Sequence, residues 1–171
     1  RNPRKGKRLA ESVKSINLPT YVSGTARGLL SKKDLPLFRH KRSKALKEAD
    51  LVILAGVPCD FRLDYGRHLN HSAKIISINL SREDLYLNRR PYVGILADPG
   101  ECLIELAKHK IDCNRQSWMQ SLNEKNQARE EEIIKQAGEK TELVNPVKFC
   151  QILNRQLDDG DIIIGDGGDF V

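Results

Sequence analysis

The run Asp161-Ile162-Ile163-Ile164 passes straight into Gly165-Asp166-Gly167-Gly168-Asp169, an apolar stretch that ends in a turn of glycines and carboxylates. In parallel α/β proteins ligands sit outside the carboxyl ends of strands, and residues without side chains let backbone N–H groups close on a phosphate. A second stretch with chemical potential is Gly56-Val57-Pro58-Cys59-Asp60-Phe61-Arg62, with Tyr65-Gly66-Arg67 close behind it. Gly56 permits close backbone approach, and the planar fork of Arg62 or Arg67 matches phosphate geometry. A third is Asn79 with Ser81, whose side chains can bond a ribose. From the residues alone each has a plainer explanation. Without a G-x-G-x-x-G, residues 56–62 read equally well as an α/β loop capped by Asp60, and residues 165–169 as an ordinary turn at a strand end.

The elements that must position these residues follow from hydrophobic spacing. Leu9, Val13 and Ile16 mark one face of a short helix over residues 8–16, and Leu18-Pro19-Thr20-Tyr21-Val22 reads as a strand. A small-residue loop, Ser23-Gly24-Thr25-Ala26-Arg27-Gly28, precedes a polar stretch and a helix over residues 43–48. Residues 51–55 and 74–79 are continuous apolar runs, the pattern of strands covered on both faces. A weaker strand spans 92–96, and a helix follows over 99–109 with Leu103, Leu106 and Ala107 inward. This alternation predicts a doubly wound parallel sheet. Residues 112–142 are polar, with Trp118, Met119, Leu122, Ile133 and Ile134 as sparse anchors, and read as a linker helix. Asn145-Pro146 then opens a helix as N-cap and first-turn proline, with Val147, Cys150, Leu153 and Leu157 on one face to be buried. The terminal strand at 161–164 follows. The expected division is a central α/β domain over 1–111, the linker over 112–142 and the start of a second α/β domain over 143–171.

Charge is uneven: residues 1–48 hold 14 Lys/Arg against 3 Asp/Glu, and the remainder 15 against 20. A basic start of this kind suits a solvated face or an acidic partner. Without interleaved aromatics or a nucleic-acid module signature, nucleic acid is not an expected partner. Cys59, Cys102, Cys113 and Cys150 never form C-x-x-C and lack a histidine at ligand spacing, so they read as reduced, mostly buried thiols of an intracellular protein. No stretch approaches a membrane span, and targeting signals or a membrane anchor are expected outside these residues.

Taken in order, these segments resemble one family. Ala49-Asp50-Leu51-Val52-Ile53-Leu54-Ala55-Gly56 with Asp60-Phe61-Arg62 is similar to a stretch in the central domain of thiamine-diphosphate-dependent enzymes of the acetolactate synthase type. Pro19 and the 25–28 loop sit where that family has a proline-led strand and a glycine loop. Ile75-Ile76-Ser77-Ile78-Asn79 and Ile95-Leu96-Ala97-Asp98 resemble its next two strands, and residues 145–169 its entry to the diphosphate-binding domain. Within the family, residues 60–67 and 166–171 look most like the 2-hydroxyacyl-CoA lyase branch.

The resemblance implies a central domain whose first strand is missing. It also implies ADP or a flavin (FAD) as a central-domain ligand, with Gly56, Asp60, Arg62, Asn79 and Asp98 as its contacts. Asn79 stands where acetolactate synthases often carry Asp. Asp166, Gly167, Gly168 and Asp169 match the loop that lies against the phosphates of thiamine diphosphate. The catalytic glutamate and the magnesium-binding motif of the family are not among these residues. The expectation is therefore a fragment without lyase activity of its own and without catalytic or metal ligands. For the intact enzyme the resemblance implies thiamine diphosphate and Mg2+, an acyl-CoA or 2-oxo acid substrate, and a homo-oligomer. The reaction would release formyl-CoA and a shortened aldehyde, as in fatty acid α-oxidation, with the cofactor as electron sink. It implies the endoplasmic reticulum membrane, a peroxisome or the cytoplasm as location. A non-catalytic ADP- or FAD-binding module and acetolactate synthase proper are the alternatives, ahead of a sirtuin-like deacylase, which lacks its C-x-x-C zinc pairs here, and a scaffold.

Overall fold

A computed structural model describes residues 3–31, 36–109, 111, 114–158 and 161–164. Two compact units emerge, Arg1–Asn126 and Gln127–Val171.

In the first unit the chain begins with helix α1 (Pro3–Ile16), longer than the apolar spacing alone predicts. Val13 and Ile16 are buried and Leu9 half-buried, so the stripe does face inward. The helix stops at Asn17 in left-handed conformation (φ 52°), which asparagine tolerates better than most residues. Its last carbonyls are satisfied from a distance: Arg115 donates to the carbonyls of Asn17 (3.0 Å) and Ile16 (3.2 Å). Residues 18–22 do not form the expected strand. Only Thr20 makes a bridge, donating to Pro36 O and accepting from Phe38 N, both at 2.9 Å. Pro36 has no N–H to give Leu18 O, so the ladder cannot extend toward Leu18.

Helix α2 (Arg42–Glu48) leads into strand β1 (Leu51–Ala55), and β2 (Lys74–Asn79) pairs with it in parallel, Val52 opposite Ile75 and Leu54 opposite Ser77. Helix α3 (Arg82–Tyr86) returns the chain to β3 (Val93–Leu96), parallel to β2. The sheet order β1-β2-β3 follows the chain, and with its flanking helices it is the parallel α/β arrangement expected. Val52, Leu54 and Ile75 pack with Cys59, Leu63, Leu69 and Ala49 in one core cluster. Helix α4 (Pro99–Leu106) packs on β1 and β2 and carries α1 against it. Its buried residue is Ile104. Leu103, Leu106 and Ala107, expected inward, are only half-buried, and the helix ends three residues earlier than expected.

Helix α5 (Gln116–Gly138) crosses from the first unit into the second. In the first unit Leu122 is buried with Phe38 and Ala45, and Glu48 receives Trp118 Nε1 (3.2 Å) and Lys125 Nζ (3.0 Å). Asn126 Oδ1 accepts from the backbone N–H groups of Arg39 and His40.

In the second unit helix α6 (Pro146–Gln156) starts as the sequence indicates, Asn145 Oδ1 accepting from Val147 N (3.0 Å) and Lys148 N (3.1 Å). The same side chain donates to Gln136 O (2.8 Å) and Glu139 O (3.2 Å), tying the end of α5 to the start of α6. The expected burial of its apolar face is not found. Cys150 is exposed, Val147, Leu153 and Leu157 are half-buried, and Phe149 and Ile152 are largely in water. Residues 161–164 also form no strand, Ile162 and Ile164 being 87% and 91% exposed. A strand needs a neighbour to satisfy its backbone, and within the described residues of this unit none lies beside them.

Candidate functional site

The carboxyl end of the sheet gathers the central candidates. Gly56, Asn79 and Asp98 terminate or directly follow β1, β2 and β3, so three adjacent parallel strands deliver them to one edge. Asp60 and Arg62 lie in the loop after β1. Asp166, Gly167, Gly168 and Asp169 lie outside the described residues.

Each central candidate is already engaged. Gly56 is left-handed (φ +73°), and its N–H donates to Ile78 O at 2.8 Å. A Cβ there would stand 3.2 Å from Pro99 Cγ, so the glycine provides room for a proline ring. Asn79 is buried. Its Oδ1 accepts from Ser81 N (3.2 Å), and its carbonyl accepts from Ala97 N (3.0 Å). Ser81 in turn caps α3 by accepting from Asp84 N, and Asp98 caps α4 by accepting from Glu101 N at 3.0 Å.

Asp60 and Arg62 hold each other. Asp60 Oδ1 accepts the Arg62 backbone N–H (2.9 Å) and Nε (3.1 Å), while Oδ2 also meets the guanidinium. The Arg62 side-chain bonds hold the Asp60 carboxyl below the usual aspartate range, against the opposing effect of burial. Arg62 also rests on the Phe61 ring, 5.4 Å from its centroid, and its carbonyl accepts from Arg42 (2.7 Å). Arg67 is exposed beside Asp64.

A tight turn follows, with Asp64, Tyr65 and Gly66 all left-handed (φ 49°, 52° and 88°). Two residues with no sequence signal fasten it: Asn88 donates to Cys59 O at 2.8 Å, and Arg89 donates to Gly66 O and Asn70 O, both at 3.3 Å. Burial pushes the Cys59 thiol upward, which keeps it protonated and unreactive.

In this structure the candidate nucleotide contacts are engaged within the chain. The space beside Gly56 is filled by Pro99, the Arg62 charge is neutralised by Asp60, and Asn79 and Asp98 accept from backbone within their own loops. Among the described residues the one buried polar side-chain atom without a partner is His68 Nδ1. No group of His, Cys, Asp or Glu among them is arranged for a metal, and no helix is long and apolar enough to cross a membrane. A concavity of about 600 Å³ in the second unit, lined by Leu143, Val144, Phe149 and Ile152, contains none of the candidates.

Comparison with known proteins gives the geometry its context. Residues 1–106 match the family described as thiamine pyrophosphate enzyme, central domain. A 2-hydroxyacyl-CoA lyase 2 from Xenopus laevis is 42% identical over 95% of the chain, and the human 2-hydroxyacyl-CoA lyase 2 is 35% identical over 99%. An acetolactate synthase large subunit from Mycobacterium tuberculosis is 28% identical over 95%. The chain spans 27%, 28% and 29% of the lengths of these three relatives.

Proposed function

Because the chain belongs to the thiamine pyrophosphate enzyme family, matching its central domain, we propose that it serves within a thiamine diphosphate-dependent carbon–carbon lyase acting on 2-hydroxyacyl-CoA. The observation that carries this reading is the identity of 35–42% with 2-hydroxyacyl-CoA lyases 2 across nearly the whole chain, against 28% with acetolactate synthase.

Cleavage between the hydroxyl-bearing carbon and the thioester carbonyl needs somewhere to place the electron pair of the broken bond, and thiamine diphosphate supplies that sink when bound. The residues proposed to approach its phosphates are Asp166, Gly167, Gly168 and Asp169, through backbone N–H groups. Mg2+ belongs to the same proposal as counter-ion of the diphosphate, held by residues other than those described here. The described residues contribute support. Parallel strands place Gly56, Asn79 and Asp98 at one edge, and caps and ion pairs hold the loops there. An ADP or FAD ligand at Gly56, Asp60, Arg62, Asn79 and Asp98 is a separate proposal, in which Arg62 would exchange its bond to Asp60 for one to a phosphate.

The test uses the complete reading frame expressed with thiamine diphosphate and Mg2+. Release of formyl-CoA and a shortened aldehyde from a 2-hydroxyacyl-CoA is expected. Acetolactate from pyruvate, with no acyl-CoA cleavage, would overturn the assignment in favour of acetolactate synthase. Calorimetry of the 171-residue chain with ADP and FAD addresses the binding-module alternative, for which heat of binding in the micromolar range is the required result.

A further inference from the structure

Asparagine followed by any residue except proline and then by serine or threonine is the acceptor sequence for N-linked glycan transfer. The chain holds it twice, at Asn70-His71-Ser72 and at Asn79-Leu80-Ser81. Proteins that carry the sugar keep such sites on surface loops, because the oligosaccharide is bulky and hydrated. Neither site here meets that condition.

Asn70 ties α2, the start of β1 and the turn before β2 together. Its backbone N–H donates to Leu46 O at 3.1 Å. Its side-chain Nδ2, the atom that would carry the sugar, donates to the carbonyl of buried Ala49 at 3.3 Å. Oδ1 accepts from Ser72 N (3.1 Å) and Ser72 Oγ (2.9 Å), and the Asn70 carbonyl accepts from Ala73 N (3.2 Å) and Arg89 (3.3 Å). Asn79 ends the central strand β2 and is 8% exposed, with Oδ1 accepting from Ser81 N and its carbonyl from Ala97 N. The Ser81 hydroxyl is used too, as the cap of α3. A sugar ring on Asn79 needs room around a side chain that has almost none, and on Asn70 it would crowd the nitrogen that meets Ala49.

Transfer of the glycan takes place in the secretory lumen, on chain that has not yet folded, so occupancy would precede these contacts. The thiols agree with folding elsewhere: Cys59, Cys102 and Cys150 are free and Cys59 is buried, the pattern of a reducing compartment.

We propose that Asn70 and Asn79 are glycan acceptors only in the unfolded chain, and that a glycan on either prevents the first unit from folding. The unit is thereby confined to folding on the non-glycosylating side of a membrane. This holds whatever substrate the assembled enzyme takes.

The test is cell-free translation of the 171-residue chain with microsomes, with and without a cleavable secretory signal. Endoglycosidase H mobility shifts report glycan, and protease resistance reports folding. Without the signal the chain should be unmodified and resistant. With it, glycan should appear on the translocated chain, fall with Ser72→Ala or Ser81→Ala alone and vanish in the double variant. The resistant fraction of the glycosylated wild-type chain should drop about tenfold or more. A competing acceptor tripeptide stops transfer without changing the sequence, and resistance of the translocated chain should then return, which separates the sugar from the lumen as the cause. Three results would overturn the proposal: no glycan on either asparagine of the translocated chain, a glycosylated chain as resistant as the unmodified one, or no recovery with the tripeptide. The complete reading frame, taken through the same steps, decides the matter should the 171 residues alone be protease-sensitive in every condition.

Discussion

Gly66→Ala should destabilise the first unit by about 2–3 kcal/mol, through two separable effects. Gly66 has φ +88°, and an L-residue held in left-handed conformation costs roughly 1–2 kcal/mol. The added Cβ would also stand 2.3 Å from Arg89 Cγ and 3.1 Å from Cδ, far inside contact distance. Those atoms are the stem of a side chain whose guanidinium is fixed at both Gly66 O and Asn70 O, so it cannot swing aside and keep its bonds. Both bonds are long at 3.3 Å, and losing them adds about 1 kcal/mol. With a urea slope of about 2 kcal/mol/M, the unfolding midpoint should fall by about 1–1.5 M. Arg89→Ala separates the effects. In that background Gly66→Ala should cost only its backbone share, leaving a coupling of about 1 kcal/mol between the two sites. Equal cost in both backgrounds would show that the collision is not the cause, and a midpoint shift below about 0.2 M would refute the turn geometry itself.

Burial, with the Glu48 charge as a smaller contributor, pushes the Tyr21 hydroxyl up to about 12 from its ordinary 10. The neutral form is favoured in the folded chain, so its contribution to stability is complete below pH 10 and lost as pH rises toward 12; Tyr21→Phe should flatten this alkaline limb in thermal unfolding. Glu48 is lowered from its ordinary 4.5, first by its bond to Lys125 and then by that to Trp118. That contribution is present above pH 4.5 and lost as pH falls through the lower folded value, so the fluorescence of Trp118, the single tryptophan, should titrate below 4.5 and Glu48→Gln should abolish the step. Asn145→Ala should cost α6 about 1 kcal/mol and deprotect the Val147 and Lys148 amides, whereas Asn145→Asp should preserve that protection and fray the end of α5, seen by hydrogen exchange.

The parts of the fold legible in the sequence are those decided by neighbours along the chain. β1 and β2 begin and end where their apolar runs do, and the Asp98-Pro99 and Asn145-Pro146 pairs start α4 and α6 as caps should. What failed depended on distant partners. Residues 18–22 have strand composition, yet only Thr20 pairs, and the segment opposite carries a proline that cannot donate to Leu18. The α6 stripe has the correct period and nothing in the described residues of its unit to bury it. At the candidate site, Gly56 was legible as a special position, but its reason, Pro99, lies 43 positions later. The two-residue spacing of Asp60 and Arg62 suits either a phosphate fork or an internal ion pair, and only the fold decides for the pair. Asn88 and Arg89 carry no local signal, since their role is to hold a loop 29 and 23 residues upstream.

A ligand arriving at the carboxyl end of this sheet would have to exchange bonds rather than make new ones. Arg62 could reach a phosphate only by leaving Asp60, and the gain would be the difference between two charge-assisted interactions, reduced by the cost of stranding a carboxylate that is only 18% exposed. Asn79 and Asp98 would surrender backbone N–H groups that then need other partners.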